Sequence, residues 1–267
     1  MSDPVLEIKA LTRRFGALIA VDALTLSVNA GEIFGLLGSN GAGKTTVIKM
    51  LTTLLPPTSG EARVAGFAIT TQAAGVRRAI GYVPQAISVD GSLTGYENLL
   101  IFAKLFDLPR HERQTRVQAA LAFMGLTEAA GQLVREYSGG MIRRLEIAQS
   151  TLHRPRMVFL DEPTVGLDPI ARDAVWEHLA RLRADYGTTI FFTTHYMEEA
   201  ESHCDRVAIM HLGHRVALGT CQELKKSLGG DGRTLDDVFV HYAGGLVESG
   251  GSYRAVSSER AIARRLG

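Results

Sequence analysis

Leu24, Leu26 and Val28 alternate with Thr25 and Ser27, the period-two pattern of a strand with one buried face. The run Val5 to Arg14 can pair with it across a turn near Gly16, which predicts an antiparallel edge sheet. Ile33-Phe34-Gly35-Leu36-Leu37 has no polar side chain, as expected of a central strand covered on both faces in a parallel sheet. It runs straight into a glycine-rich segment. Helical spacing follows over Thr45 to Leu55, ended by Pro56-Pro57 and the turn Thr58-Ser59-Gly60, before short strands near Glu61 to Val64 and Ile80 to Val83.

Between about residues 86 and 153 the pattern changes. Tyr96 to Leu108, Arg110 to Met124 and Met141 to His153 all have helical spacing with no strand between them, so this stretch reads as a helical insertion. Alternation then resumes with a strand at Met157 to Leu160, a helix at Pro169 to Tyr186, a strand at Thr188 to Thr193, a helix from Tyr196 and a strand at Arg206 to His211. The fold class expected is α/β: a mainly parallel sheet, an antiparallel β edge subdomain and an inserted helical subdomain, all within residues 1–227. After Ser227 the clusters Gly229-Gly230-Asp231-Gly232, Gly244-Gly245 and Gly250-Gly251-Ser252 predict a loosely ordered C-terminal extension over 228–267.

Composition narrows this picture little. A chain of 267 residues with 46% hydrophobic and 21% charged residues has the make-up of an ordinary globular protein. Its formal net charge of +1 gives no bulk electrostatic attraction to nucleic acid or anionic lipid, so no nucleic acid partner is expected. Cys204 and Cys221 stand alone, with neither disulfide-framework nor zinc spacing, which suits a reducing cytosol. Met1-Ser2-Asp3-Pro4 lacks the flank and apolar run of a signal peptide, and no stretch reaches the roughly 18 apolar residues of a membrane helix.

Chemistry concentrates in three segments. Gly38-Ser39-Asn40-Gly41-Ala42-Gly43-Lys44-Thr45 matches the phosphate-loop pattern GxxxxGK[ST] and lies between an apolar strand and a helix, the context that pattern requires. Its glycines let the backbone wrap around anionic oxygens, Lys44 reaches the terminal phosphates, and the Thr45 hydroxyl is a ligand for Mg²⁺. Met157 to Glu162 is an apolar strand ending in two acids, which sets both at the carboxyl edge of the sheet, where ligands bind. Asp161 there would hold Mg²⁺, and Glu162, one residue beyond, would act as general base toward a water attacking the γ-phosphate. Tyr137-Ser138-Gly139-Gly140-Met141 opens a helix whose apolar stripe is Ile142, Leu145, Ala148 and Leu152, with Ser138 as N-cap. Its serine hydroxyl and glycine N–H groups form a second anion site, which the helical insertion would hold away from the first. That arrangement suggests a second copy of the chain; the segment alone equally fits an ordinary capped helix with a flexible entry.

Taken in order, these motifs resemble the nucleotide-binding subunit of an ATP-binding-cassette (ABC) transporter over roughly residues 5 to 225. The segment Gly38 to Thr45 resembles Walker A, Gln85 in Tyr82-Val83-Pro84-Gln85 the Q-loop, and Ser138-Gly139-Gly140 the signature. Met157 to Glu162 resembles Walker B, Gly166-Leu167-Asp168 the D-loop, and His195 in Thr193-Thr194-His195 the switch histidine. The resemblance implies a P-loop ATPase using ATP and Mg²⁺, with nucleotide contacts at Phe15, Gly38, Ser39, Asn40, Gly41, Ala42, Gly43, Lys44, Thr45 and Thr46. Phe15 would stack on adenine, unless it is simply an edge-strand aromatic. Glu162, His195 and Gln85 would be catalytic, and Thr45, Gln85 and Asp161 would serve the metal. Ser138, Gly139 and Gly140 would contact the nucleotide of a second subunit, itself or a paralogue, across a head-to-tail dimer with Asp168 at the interface. A multispan membrane permease would carry the cargo, with the ATPase peripheral on the cytoplasmic face.

Two positions depart from the common LSGGQ signature: Tyr137 replaces Leu and Met141 replaces Gln. The YSGGM form and Leu235-Asp236-Asp237-Val238-Phe239 resemble the daunorubicin-type drug-export branch, implying export of drugs, lipids or polysaccharide-like cargo. DNA-repair ABC ATPases insert long coiled coils, and no sustained heptads lie between Lys44 and Ser138. A translation factor of the superfamily would need two cassettes. A soluble iron–sulfur assembly ATPase is the remaining alternative. At the end of the chain, Arg254, Arg260, Arg264 and Arg265 fit either a solvated tail or a short docking helix from Ser257 to Leu266.

Overall fold

The computed structural model describes residues 4–229 and 232–249. In chain order the strands are β1 (Pro4–Phe15), β2 (Leu18–Asn29), β3 (Ile33–Leu37), β4 (Ser59–Val64), β5 (Phe67–Ala68), β6 (Ile80–Val83), β7 (Met157–Asp161), β8 (Thr189–Thr194), β9 (Arg206–His211) and β10 (His214–Gly219). The helices are α1 (Lys44–Leu51), α2 (Ala73–Ala79), α3 (Gly95–Leu105), α4 (Arg110–Phe123), α5 (Gly139–Thr151), α6 (Pro169–Tyr186), α7 (Met197–His203), α8 (Cys221–Lys226) and α9 (Leu235–Ser249).

The larger sheet runs β10-β9-β3-β8-β7-β6, parallel throughout except for the β9–β10 hairpin at its edge. Its central strands β3, β7 and β8 are buried at every position, the burial that a sheet covered on both faces requires. The smaller, antiparallel sheet runs β2-β1-β4-β5 and contains the expected hairpin turning at Gly16. The two sheets share a core in which the Phe34 and Phe191 rings stack 5.5 Å apart and Phe159 packs against Phe191. A second core lies under the helical insertion, where Leu99, Val117, Leu145 and Tyr137 meet Trp176 and Phe192 from the sheet side. The α/β class, the parallel sheet, the antiparallel edge subdomain and the inserted helices all agree with the sequence pattern.

Local chemistry sets most boundaries. Asp168 caps α6 by accepting the Ala171 N–H at 3.0 Å, Pro169 opens it, and Gly187 closes it in the left-handed conformation at φ +66°. Thr94 and Glu97 form a reciprocal capping box at the start of α3. Helix α1 stops at Leu51 rather than at Leu55. The Thr52 hydroxyl donates to the Ile48 carbonyl at 2.8 Å and Thr53 turns to φ +64°, so the helix ends before the prolines are reached.

The C-terminal segment corrects the sequence reading. Instead of a loose extension from residue 228, α9 packs on α7 and α8, and Leu235 and Val238 are fully buried with Leu37, Ile209 and Leu224. The Thr234 hydroxyl accepts the Asp237 N–H while the Asp237 carboxylate accepts the Thr234 N–H, and Glu201 takes the Leu235 N–H at 2.6 Å. This cap was present in the sequence and was masked by the glycines around it. The expected docking helix at Ser257 to Leu266 lies outside the described residues. Leu235→Ala should therefore cost about 2 to 5 kcal/mol, read by denaturant unfolding, whereas a solvated tail would give no change.

His153 supplies a second stability test. It follows α5, stacks on Phe106 with ring centres 3.8 Å apart and places Nε2 3.0 Å from the Ile80 carbonyl. Burial pulls its pKa down to about 4, against a partial upward pull from that carbonyl. Because the folded value lies below the unfolded one, its contribution is intact above about pH 6.5 and is lost as pH falls from there toward 4. On the order of 1 to 2 kcal/mol should be gone by pH 5 after allowing for partial exposure. His153→Gln should flatten that part of the stability–pH curve, measured as melting temperature between pH 7.5 and 5.

Candidate active site

The phosphate-loop segment lies where β3 ends and α1 begins, and its backbone admits only glycine at two points. Gly38 has φ +155°, and a Cβ there would stand 2.3 Å from the Met210 carbonyl oxygen; Gly43 has φ +105°, with the Ala20 carbonyl 2.4 Å from a Cβ. The loop is held from outside as well. The Ala42 carbonyl accepts the Gly213 N–H at 3.0 Å, and the Gly213 carbonyl accepts the Asp22 N–H at 2.9 Å, so the β9–β10 turn joins the loop to β2. Ser39, Asn40, Thr45 and Thr46 complete the rim, with Gly41 exposed and Ala42 and Lys44 buried.

Lys44 crosses the loop. Its ammonium donates to the Gly38 carbonyl at 2.8 Å and the Ser39 carbonyl at 3.3 Å, and lies 3.2 Å from Glu162 Oε1. Both partners of that ion pair are nearly inaccessible, at 4% and 7% side-chain exposure. The other Glu162 oxygen, Oε2, accepts from Gln85 Nε2 at 3.2 Å and stands 3.5 Å from His195 Nδ1. Three residues far apart in the chain, Lys44, Gln85 and His195, thus converge on the Glu162 carboxylate. Glu162 is held in place by its backbone: φ is +50°, unusual for a non-glycine, and its N–H donates to the Thr193 carbonyl and hydroxyl at 3.1 and 3.0 Å.

Asp161, one residue earlier, points to the other side of this group. The Thr193 hydroxyl donates to its Oδ1 at 2.6 Å and the Thr45 hydroxyl to the same atom at 3.2 Å. Burial pushes its carboxyl pKa above the ordinary range, opposed by those two hydroxyls and by Lys44 and reinforced by Glu162. Tyr82, on the neighbouring strand, is pushed up to about 12 by burial and by the Asp161 charge. A desolvated carboxylate beside a threonine hydroxyl is an oxygen-only donor set of the kind that suits Mg²⁺, and a cation there would offset the cost of burying the charge.

The signature residues are organised on another element. Ser138 caps α5, its Oγ accepting the Met141 N–H at 3.3 Å. Gly139 faces Leu167, and a Cβ on Gly140 would stand 2.7 Å from the Ala171 Cβ, so the start of α5 and the start of α6 must approach closely. This sets Gly139 against Leu167 and Gly140 against Ala171, residues on either side of Asp168 and Pro169 in the chain. Helix α5 packs on β6, the edge strand separated from β3 and its phosphate loop by β8 and β7. Tyr137, the first departure from LSGGQ, donates its hydroxyl to the Ala129 carbonyl at 2.6 Å in the helical core. That hydroxyl would stand 2.2 Å from a Cβ on Gly95, so the tyrosine in this position needs the glycine of α3. Phe15 is 37% exposed at the tip of the β1–β2 hairpin, with the Arg13 guanidinium 4.6 Å above its ring.

Sequence reasoning missed the groups that support these. Thr193 bridges Asp161 and the Glu162 backbone. Buried Glu199 accepts from Thr164 in the loop after Glu162 and from Thr194 beside His195, at 2.9 Å for the latter. Arg143 and Glu146 on α5 grip the segment around Gln85. Thr193 and Thr194 stood in the motif quoted for His195; the others carry no spacing signal, because their partners are distant in the chain.

Comparison with known proteins agrees with this geometry. The family profile of the ABC transporters matches residues 21–165. The daunorubicin/doxorubicin resistance ATP-binding protein DrrA of Streptomyces peucetius is 45% identical over 224 residues, covering 84% of this chain and 68% of that one. The linearmycin resistance ATP-binding protein LnrL of Bacillus subtilis is 40% identical over 227 residues, covering 85% and 73%. A solved ATP-binding subunit of an ABC transporter superposes with a TM-score of 0.80 at 31% identity, covering 89% of this chain and 99% of that one. The chain belongs to the ABC transporter family, and its place there is that of the ATPase subunit coupled to transport.

Proposed function

We propose that the chain drives an exporter by Mg²⁺-dependent hydrolysis of ATP between two subunits paired head to tail. The single observation that carries the catalytic part of this reading is the convergence of Lys44, Gln85 and His195 on the Glu162 carboxylate. The γ-phosphate takes the Lys44 ammonium, which leaves Glu162 to accept a proton from water as that water attacks phosphorus and ADP departs. His195 and Gln85, both touching Glu162, orient that water. Thr45 and Asp161 would hold Mg²⁺, which supplies charge neutralisation on the phosphate oxygens. Gly38 to Thr46 cradle the phosphates, and Phe15 stacks on adenine.

Ser138, Gly139 and Gly140 open a helix that packs on β6, separated from β3 and its phosphate loop by β8 and β7, which supports a role in trans, with Asp168 at the interface. Among the described residues no helix is long and apolar enough to cross a membrane, so the cargo path is assigned to a multispan permease that holds this subunit at the cytoplasmic face. The relatives' names speak of resistance to daunorubicin, doxorubicin and linearmycin, and on that ground the cargo is a drug-like molecule moved outward. The same names weigh against iron–sulfur assembly. Copurification with a multispan membrane protein tests this choice.

Glu162→Gln should keep ATP binding and lose hydrolysis by about 10² to 10⁴. Parental turnover by the variant in its membrane complex would remove Glu162 from the role of base. In the same Glu162→Gln background, ATP should double the mass seen by light scattering, and adding Ser138→Arg should abolish that shift by setting a long cation at the joint. A Glu162→Gln protein that remains monomeric in ATP, alone and beside its permease, excludes the head-to-tail arrangement.

A further inference from the structure

The segment that follows β6 is exposed at four consecutive positions, residues 85–88, yet it is tied at both ends to a buried pair of charges on α5. Arg143 is 7% exposed and Glu146 2%. The Arg143 guanidinium donates through Nη1 to the Pro84 carbonyl at 2.8 Å and through Nη2 to the Gln85 carbonyl at 3.2 Å. Glu146 Oε1 accepts from the Ser88 N–H at 2.6 Å and the Ser88 hydroxyl at 2.9 Å, and its Oε2 lies 2.9 Å from Arg143 Nη1. The planar fork of arginine can hold two successive carbonyls, a geometry that lysine's single point of attachment does not reproduce.

Stability alone gives little reason for such a pair. Two desolvated charges are commonly matched or bettered by apolar side chains of the same size, so what the pair contributes is position. The position it sets is that of Gln85. At one end of the chain of contacts is the start of α5, where Ser138 to Gly140 present their N–H groups. Arg143 follows Gly139 by four residues, about 6 Å along a rigid helix. From Arg143 the contacts run through the Gln85 backbone to its side chain and from there to Glu162 Oε2. A shift or rotation of the α5 start moves the guanidinium, the Gln85 carbonyl and the amide that touches Glu162.

We infer that Arg143, braced by Glu146, is a positioning residue that relays the state of the partner subunit's nucleotide, sensed at Ser138 to Gly140, to Gln85 and Glu162 of its own chain. The inference rests on the head-to-tail reading and deepens it: each ATP site then governs hydrolysis in the other through a path inside one polypeptide. The Glu146 contacts to Ser88 hold the far end of the segment, so that motion of α5 moves the segment as a unit.

The test uses the full chain in its membrane complex and compares Arg143→Met, Arg143→Lys and the double variant Arg143→Met/Glu146→Gln. The double variant leaves no unpaired buried charge, and the glutamine carbonyl still accepts from Ser88. Melting temperature and ATP affinity should stay near parental in Arg143→Lys and in the double variant. In both, kcat should fall about 10- to 100-fold at saturating ATP, the scale expected for an ångström of misplacement, and the Hill coefficient for ATP should drop from above 1 to about 1. Parental kcat and Hill coefficient in the double variant would overturn the relay, and so would a matching loss of ATP affinity, which would mark the pair as a support for the nucleotide fold. ATP-dependent dimerisation of Glu162→Gln with intact Arg143 is the separate check on pairing. If those dimers form while the parental Hill coefficient is about 1, the relay fails and the head-to-tail reading stands.

Discussion

The buried ion pair between Lys44 and Glu162, 3.2 Å apart, is the contact on which the arrangement of the site depends. Each of its ends is fixed by a different part of the fold: Lys44 by a glycine loop closed against β2 and β9, Glu162 by a left-handed turn bonded to Thr193 of the neighbouring strand. Two charges withdrawn from water gain little net stability from one another, but they constrain where the loop and the strand end lie. In the proposed cycle a phosphate replaces the carboxylate as the counter-ion of Lys44. That exchange makes binding and the availability of the base a single event.

The parallel sheet makes this meeting possible. Strands β3, β7 and β8 run side by side in the same direction, so the loop after β3, the acids closing β7 and the histidine after β8 all emerge on one edge. No covalent or sequential proximity is needed; hydrogen-bonded register brings Asp161 level with Thr193 and Leu37 level with Thr194. The strain at Glu162 and at the loop glycines is held by a core of fully buried aromatic and aliphatic side chains on both faces of the sheet.

The helical insertion answers a different requirement, that of carrying the signature residues at a controlled distance. Its departures from LSGGQ are accommodated by packing. Tyr137 bonds Ala129 and fits against Gly95, and Met141 packs into the helical core, so neither side chain covers the exposed Ser138 and Gly139. Helix α5 then carries Arg143 and Glu146 on the side toward the core ATPase, where they meet the Gln85 segment.

Much of this was legible in the chain itself. The loop from Gly38 to Thr45, the acids Asp161 and Glu162, the cap at Ser138 and the helix from Pro169 to Tyr186 depend on residues close in sequence, and local propensity and spacing report them directly. The contacts that assemble the site are of another kind. Thr193 with Asp161, Glu199 with Thr164 and Thr194, and Arg143 with Pro84 and Gln85 join residues separated by five to about sixty positions, with side chains that have many partners available in an unfolded chain. The C-terminal helix was missed for a related reason, since glycines on either side obscured a cap whose value depends on the apolar surface offered by α7 and α8. Sequence determined the elements and the chemistry of their ends, because those follow from neighbours along the backbone. Only the tertiary structure decided which ends meet, because strand order and helix packing are settled by burial of surfaces that no single segment contains.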